Sequence, residues 1–421
     1  MKTISDPRSE RHPCFNKAAS GSYGRVHLPV APRCNVQCNF CDRRYDCVNE
    51  SRPGVTSAEL KPFQALEYTR AALEREPRIS VVGIAGPGDP MANPAETLET
   101  MRLIHYAYPR LVFCLSTNGL DLAAHAEALA RSGVSHVTVT CNAVDPDIGA
   151  KIYAWVRDGK VIYRGRDAAE LLLERQLAAV AALKRLDLIV KINTLVIPGV
   201  NDHHLRDVAR KARELGADLH NLIALHPVAG TPFGALAEPD AARMRGLRDE
   251  MGAFLPQMTH CRRCRADAVG TLGCDRSGEL GDVMAACASL APECRDDRPH
   301  VAVATRDGMF VDRHLGEARR LQIWGRSEDG RFRLVETRKT PAAGGGRERW
   351  KMLAAELADC RAVLAGNMGD SPQAILRGHG IRCVPFTGGI ADGLRAVYGD
   401  ARTDGHIEGL TGSVAYLPTS S

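Results

Sequence analysis

Between residues 26 and 226 the chain alternates apolar runs with amphipathic ones. The apolar runs lie at 26–30, 79–85, 111–116, 136–142, 188–196 and 221–225. They are nearly continuous in apolar residues and rich in Val and Ile, which predicts parallel strands buried on both faces. Residues 94–106, 122–131, 168–186 and 205–215 read as helices. Thr56-Ser57-Ala58-Glu59 reads as a capping box opening another helix that ends before Pro77. Six successive strand–helix units predict an α/β fold, a (βα) TIM-type barrel, partial or complete.

In such a sheet the functional loops follow the C-terminal ends of the strands. Here they are polar or Gly-rich: RCNVQCNFCDRRYDC at 33–47, Gly86-Pro87-Gly88-Asp89-Pro90, Ser116-Thr117-Asn118-Gly119 and Asn142-Ala143-Val144-Asp145. Their recurrence on one rim predicts a single shared site. A helical pattern at 239–254 gives way to Cys-rich, Asp/Gly-rich sequence up to Pro299, expected to carry a site or a linker. From His300 a second α/β unit begins, with strands expected at 301–305, 321–324, 332–336, 362–365 and 381–385 and helices at 350–357, 372–377 and 391–398. The last twenty residues or so read as poorly structured.

With 421 residues, 44% hydrophobic and 25% charged, the chain can bury a sizeable core. The net charge of +5 suits an anionic ligand, but without a dense Lys/Arg block or an aromatic-interleaved basic strip it does not predict nucleic-acid binding. The N-terminus lacks the apolar stretch of a signal peptide. No apolar run reaches the ~20 residues of a membrane span, and the most hydrophobic segment, 188–200, is interrupted by Lys191 and Asn193. A soluble, cytoplasmic protein is expected. Fourteen cysteines at that address point to metal ligation, catalysis or burial rather than disulfides.

The strongest chemical signal is Cys34, Cys38 and Cys41, spaced Cys-x3-Cys-x2-Cys after the first strand. Three thiolates can hold three irons of a cubane and leave the fourth open. A structural zinc site needs four ligands and usually pairs two Cys-x2-Cys knuckles, whereas here three cysteines follow a strand inside a βα barrel pattern. In this position the motif resembles that of the radical S-adenosylmethionine superfamily. The resemblance implies a 4Fe–4S cluster whose open iron binds S-adenosylmethionine and cleaves it to a 5′-deoxyadenosyl radical. It places Gly86, Gly88 and Asp89 where that family's Gly-Gly-Glu-Pro-like motif contacts the methionine amine. Thr117, Asn118, Thr140 and Asn142 become candidate partners of the ribose and carboxylate.

The phrases HPC at 12–14, CNVQCNFCDRRYDCVNESRPGV at 34–55, FCLSTNGL at 113–120, NAVDPDIGAKIYAWV at 142–156, INTLVIPGVND at 192–202 and CRRCRADAVG at 261–270 narrow the likeness. Residues 10–280 closely resemble the NifB family of nitrogenase-cofactor radical enzymes. That resemblance implies two further 4Fe–4S clusters as substrates, one held by His27, Cys47 and Cys114, the other by Cys14, Cys261 and Cys264. It implies their fusion, with a carbide drawn from S-adenosylmethionine and an added sulfide, into an 8Fe–9S–C precursor. Glu50 and Arg52, with Asn49, become candidates for positioning or proton transfer. Implied partners are S-adenosylmethionine, cluster donors and cofactor carriers of nitrogenase assembly, and a reductant such as ferredoxin or flavodoxin, with no nucleic acid and no membrane.

The C-terminal unit resembles the small ribonuclease H-like, NifX-like cofactor-binding domain through VDRHLGEARRLQIW at 311–324, where His314 is a candidate contact to bound product. The expected division is 1–25 as an N-terminal segment with a cluster ligand, 26–257 as barrel, 258–298 as Cys-containing extension or linker, 299–403 as cofactor-binding domain and 404–421 as tail. Cys360 and Cys383 read as packed thiols, and Cys141, Cys274, Cys287 and Cys294 receive no role. Two other classes remain open here: a peptide-modifying radical enzyme with auxiliary clusters, and a non-catalytic cluster scaffold. The near-absence of cysteine from the second unit argues against the first, and the Gly86–Pro90 and Asn142 loops against the second.

Overall fold

The computed structural model describes residues 6–47, 54–290, 297–327 and 329–399. The chain divides into two compact units, Met1–Leu290 and Ala291–Ser421. The first contains β1 (Gly24–His27), β2 (Val36–Cys38), α1 (Pro62–Arg75), β3 (Ile79–Ile84), α2 (Pro94–Ala107), β4 (Val112–Thr117), α3 (Leu122–Arg131), β5 (Val134–Thr140), α4 (Pro146–Ile152), β6 (Tyr153–Asp158) and β7 (Val161–Tyr163). It continues with α5 (Gly165–Arg185), β8 (Ile189–Val196), α6 (Leu205–Glu214), β9 (Leu219–Ala224), α7 (Ala241–Met251), β10 (Val269–Thr271), β11 (Cys274–Asp275) and α8 (Ser277–Ala288).

The six predicted strands are β1, β3, β4, β5, β8 and β9, parallel and adjacent in that order. The sheet runs from β11 at one edge to β9 at the other, so it is a partial barrel with two open edges. Strand periodicity sorts its two faces. Val26, Val82, Ile84, Phe113, Leu115, Val137, Val139, Val190 and Ile192 join the outer core, which also takes in Met101 and Ile104 of α2, Leu129 of α3 and Leu183 of α5. The alternate positions His27, Gly83, Cys114, Ser116, Thr138, Lys191 and Asn193 line a cavity on the inner face.

Three local expectations change. The helix expected from Thr56 begins at Pro62, with the Gln64 side chain accepting the Lys61 N–H. Thr56 and Ser57 instead donate to the carboxylates of Asp46 and Asp267, so their hydroxyls tie two loops together. The first strand stops at His27, and residues 28–30 lead into the cysteine loop. Residues 258–290, expected as extension or linker, carry β10, β11 and α8. β10 pairs antiparallel with β1 on the side away from β3, and Leu280, Met284 and Cys287 of α8 enter the same core as Ala65, Tyr68 and Ala72 of α1. A further antiparallel sheet, β2-β6-β7, has no counterpart among the predicted strands.

The second unit contains β12 (His300–Val303), β13 (Phe310–Val311), β14 (Arg320–Arg326), β15 (Phe332–Lys339), α9 (Gly346–Glu356), β16 (Cys360–Ala365), α10 (Asp370–Gly378), β17 (Arg382–Pro385), β18 (Gly388–Gly389) and α11 (Ile390–Tyr398). Its sheet order is β15-β14-β12-β16-β17, with β12, β16 and β17 parallel. Leu353 of α9 and Leu376 of α10 pack on one face, and Ile390, Leu394 and Val397 of α11 on the other. Cys360 and Cys383 are buried core residues. His314 caps a short turn, its Nδ1 accepting the Gly316 N–H at 3.0 Å. Residues 400–421, which include the expected tail at 404–421, lie outside the described residues. Among the described residues no helix is long and apolar enough to cross a membrane.

Phe113 is fully buried in the outer core, its ring edge-on to His105 at 5.5 Å. Phe113→Ala is expected to cost about 3–5 kcal/mol, read as a lowered denaturation midpoint in anaerobic guanidinium titration.

Candidate cluster site

The parallel register sets His27 beside Gly83 and Gly83 beside Cys114. A Cβ at Gly83 would stand 3.0 Å from the Cys114 sulfur, 3.0 Å from His27 Cδ2 and 3.3 Å from His27 Nε2. The absent side chain therefore leaves a gap flanked by a thiol and an imidazole. His27 Nδ1 is 3.1 Å from the Arg265 carbonyl, which can only accept. Nδ1 thus carries the proton, and Nε2 keeps a lone pair beside the gap. Burial, reinforced by the charge of Arg25, lowers the His27 pKa to about 4, so the ring is neutral near pH 7. A second-sphere carbonyl fixing a neutral imidazole is what a metal-binding histidine requires.

The same cavity is bordered by Cys14, Cys261 and Cys264. Cys14 arrives on an N-terminal segment fastened to several strands. Asp6 caps the first turn and Asn16 the second. Ser9 Oγ meets His136 Nε2 at 2.9 Å, Ser80 Oγ donates to the Arg11 carbonyl, and His260 Nε2 lies 2.9 Å from the Pro13 carbonyl. The Cys14 N–H donates to His12 Nδ1 at 3.2 Å, which folds His12 back toward Phe15 and His136. Arg25, 1% exposed, donates to the Cys264 sulfur at 3.1 Å and to the carbonyls of Gly270 and Thr271. Burial pushes the Cys14 thiol up to about 11 and the Cys114 thiol up to about 12. Ligation by a metal reverses that preference, because the bound form is the thiolate. The cavity is about 70 Å3 and opens to solvent.

At the rim, Cys38 ends β2, and Cys34 and Cys41 stand on either side of it. The Gly86–Pro90 loop is fastened to this cysteine loop: the Gly88 N–H donates to Ala31 O at 2.7 Å, the Asp89 N–H to Arg33 O at 2.8 Å and the Cys47 N–H to Pro87 O at 3.1 Å. A Cβ at Gly88 would lie 2.2 Å from the Arg33 carbonyl oxygen, so only glycine permits this approach. The Asp89 carboxylate accepts from the Met91 and Asn118 N–H groups and from the Thr117 hydroxyl. Asn118 then donates to Asn35 Oδ1 at 2.7 Å, with Cys34 Sγ at 3.8 Å. The three rim loops thus form one bonded unit around the triad.

The remaining candidates are more dispersed. The Asn142 side chain accepts the Leu195 N–H, and Gln176 donates to the Thr140 carbonyl, both at the far rim. Cys47 stays on the rim loop and does not line the cavity with His27 and Cys114. Glu50 and Arg52, with Asn49, lie outside the described residues, as does Cys294. Cys141 and Cys287 are buried, and Cys274 is exposed. Sequence reading missed Arg25 and gave Lys191 no role. The available signal was the same for both, a lone cation inside or beside an apolar strand run.

Among the described residues no three His, Cys, Asp or Glu side chains converge to hold a single metal ion. A cubane is held differently, each ligand taking its own iron. Thiols and one neutral imidazole spread around a cavity suit that geometry, and the rim triad with an open position suits a reactive cluster.

Residues 28–212 match the Radical SAM superfamily, and residues 298–399 match the family described as dinitrogenase iron-molybdenum cofactor. The chain is a radical S-adenosylmethionine enzyme of the class that uses a 4Fe–4S cluster, joined to a small α/β domain of that second family. It is 50% identical to the FeMo cofactor biosynthesis protein NifB of Chlorobaculum tepidum, over 93% of this chain and 92% of that one. The NifB of Klebsiella pneumoniae is 42% identical, over 90% and 87%, and that of Azotobacter vinelandii 36% identical, over 89% and 84%. The chain belongs to the NifB family.

Asp89→Ala leaves the buried N–H groups of Met91 and Asn118 without their acceptor. At about 1–3 kcal/mol for each unsatisfied group, a loss of roughly 2–6 kcal/mol is expected in denaturant titration. Iron retained at the Cys34–Cys38–Cys41 loop should fall in parallel, and unchanged iron retention would show the clamp to be irrelevant to the cluster.

Proposed function

We propose that this chain builds the precursor of the nitrogenase cofactor by fusing two 4Fe–4S clusters in the cavity of its first unit. A carbon from S-adenosylmethionine becomes the central carbide and a sulfide is added, giving an 8Fe–9S–C cluster. One observation carries this reading: two separate ligand groups, His27 with Cys114 and Cys14 with Cys261 and Cys264, border one cavity. A structural cluster would need a single set. Two substrates that must meet need two sets facing the same space.

When held by Cys34, Cys38 and Cys41, the radical cluster supplies reductive cleavage of the S-adenosylmethionine sulfonium, hence the 5′-deoxyadenosyl radical. The protein's own residues do the rest. The clamp through Gly88, Asp89 and Asn118 keeps the triad loop in place. Gly86, Gly88, Asp89, Thr117, Asn118, Thr140 and Asn142 form the rim assigned to S-adenosylmethionine. His27 offers a neutral, singly protonated ring, a weaker hold than a thiolate and so suited to a substrate that must leave. Cys47 is assigned to the His27 set, and Glu50 and Arg52 are assigned to positioning or proton transfer. The second unit takes the finished cluster, and carriers, cluster donors and a ferredoxin or flavodoxin act with the enzyme in the cytoplasm.

Anaerobic reconstitution with iron and sulfide, followed by S-adenosylmethionine and a reductant, is expected to yield both S-adenosylhomocysteine and 5′-deoxyadenosine. Absence of both sinks the reading. Gly83→Val fills the gap between His27 and Cys114. It is expected to lower bound iron by about four per chain, one cubane, and, by overpacking a buried strand, to lower the melting temperature as well, while the iron at the rim triad stays near its original value. Undiminished iron in that variant would remove His27 and Cys114 from the ligand set.

A further inference from the structure

Lys191 is a buried cation of the cavity that the reading above leaves without work. It sits in the middle of β8, in the run Ile189–Val196, every residue of which is buried. Strand alternation sends its neighbours Val190 and Ile192 to the outer core and Lys191 itself to the cavity. Its side chain is nearly enclosed, the residue being 7% exposed. The ammonium lies 4.7 Å from the centre of the Phe15 ring and 4.0 Å from the Met258 sulfur. Among the described residues no carboxylate pairs with it. A ring face and a thioether leave most of the capacity of three N–H donors unused. Burial of a cation on such terms is unfavourable, so stability does not explain it.

Its position does. Lys191 lines the same cavity as Cys14 and Cys114, residues that belong to the two different ligand groups. Arg25, the other buried Lys or Arg among the described residues, is already engaged, with its guanidinium divided between Cys264 and two backbone carbonyls. Lys191 is therefore a cation with donors to spare that faces both groups at once. Thiolate-ligated clusters gain negative charge with every thiolate and again on reduction, and hydrogen bonds to their sulfurs raise their potentials. Two such clusters repel one another as they approach.

We propose that Lys191 is the positioning residue for the cluster substrates, donating hydrogen bonds to their sulfides and offsetting their charge so that the two can be held side by side. The inference rests on the cavity being the substrate-cluster site.

The test uses the full chain with Cys34, Cys38 and Cys41 replaced by alanine, so that only cavity clusters remain after reconstitution with iron and sulfide. Iron bound in this background supports the cavity as the site, and its absence overturns the site and the role of Lys191 together. Lys191→Met and Lys191→Arg are then compared in the same background by redox titration followed with electron paramagnetic resonance. Lys191→Met removes the charge at similar length and is expected to melt at the same or a higher temperature. It should move the cluster midpoints to lower potential and reduce occupancy severalfold. Lys191→Arg should restore the midpoints most of the way. Iron-loaded Lys191→Met with unshifted midpoints would overturn this inference alone and leave the cavity reading standing. Should Lys191→Met fail to fold, Lys191→Gln is titrated in its place and the same shift is required of it.

Discussion

The register of β1, β3 and β4 constrains the rest of the site. In a parallel sheet a slip of one residue reverses which face every side chain occupies. Such a slip would carry His27 and Cys114 into the outer core and bring Val26 or Phe113 into the cavity. The register is held from outside, by the apolar residues that α1, α2 and α3 cover. Gly83 adds a local requirement, because any side chain there would fill the space between the imidazole and the thiol. Packing on one face of the sheet thus determines the chemistry available on the other.

Above this wall the rim is organised by hydrogen bonds rather than apolar contact. The loops after β1, β3 and β4 meet through Gly88, Asp89, Thr117 and Asn118. A buried carboxylate that accepts from two backbone N–H groups and a hydroxyl is a satisfied group, and it leaves the loops little freedom. The inner wall is less completely satisfied. Among the described residues His12 Nε2 and Arg25 Nε are buried with no hydrogen-bond partner, and the Lys191 ammonium lies against the Phe15 ring and the Met258 sulfur. Unmet polar capacity inside a cavity marks where something polar or charged belongs.

Much of this was legible in the sequence, for identifiable reasons. The six parallel strands were readable because the positions that the helices cover are almost all Val, Ile, Leu or Phe, with few polar residues between them. The triad was readable because its three cysteines are close neighbours in the chain. His27, Cys114, Cys14, Cys261 and Cys264 were named through resemblance, since nothing local ties a cysteine at 14 to one at 264. Elements formed by distant pairing escaped: β10 on the free edge of β1, the β2-β6-β7 sheet and α8 against α1. The capping pattern at Thr56 misled because Ser and Thr hydroxyls serve any nearby acceptor. There Asp46 and Asp267, one of them more than two hundred residues away, outcompeted a local helix start. Lys191 entered only as an interruption of hydrophobicity, although an interruption in a central strand is itself a signal.

The covering of β1 by β10 has a consequence for the order in which the protein comes into being. The hydrogen bond from Arg25 to the Gly270 carbonyl spans 245 positions, and Cys261 and Cys264, which border the cavity, are made equally late. During synthesis the triad and Cys114 emerge well before the strand that closes their side of the sheet. For that interval the chain carries exposed thiols and an unpaired edge, the features that invite oxidation and misassociation. Cluster loading that waits until the last strand is in place therefore separates a correctly built enzyme from a nascent chain that merely binds iron.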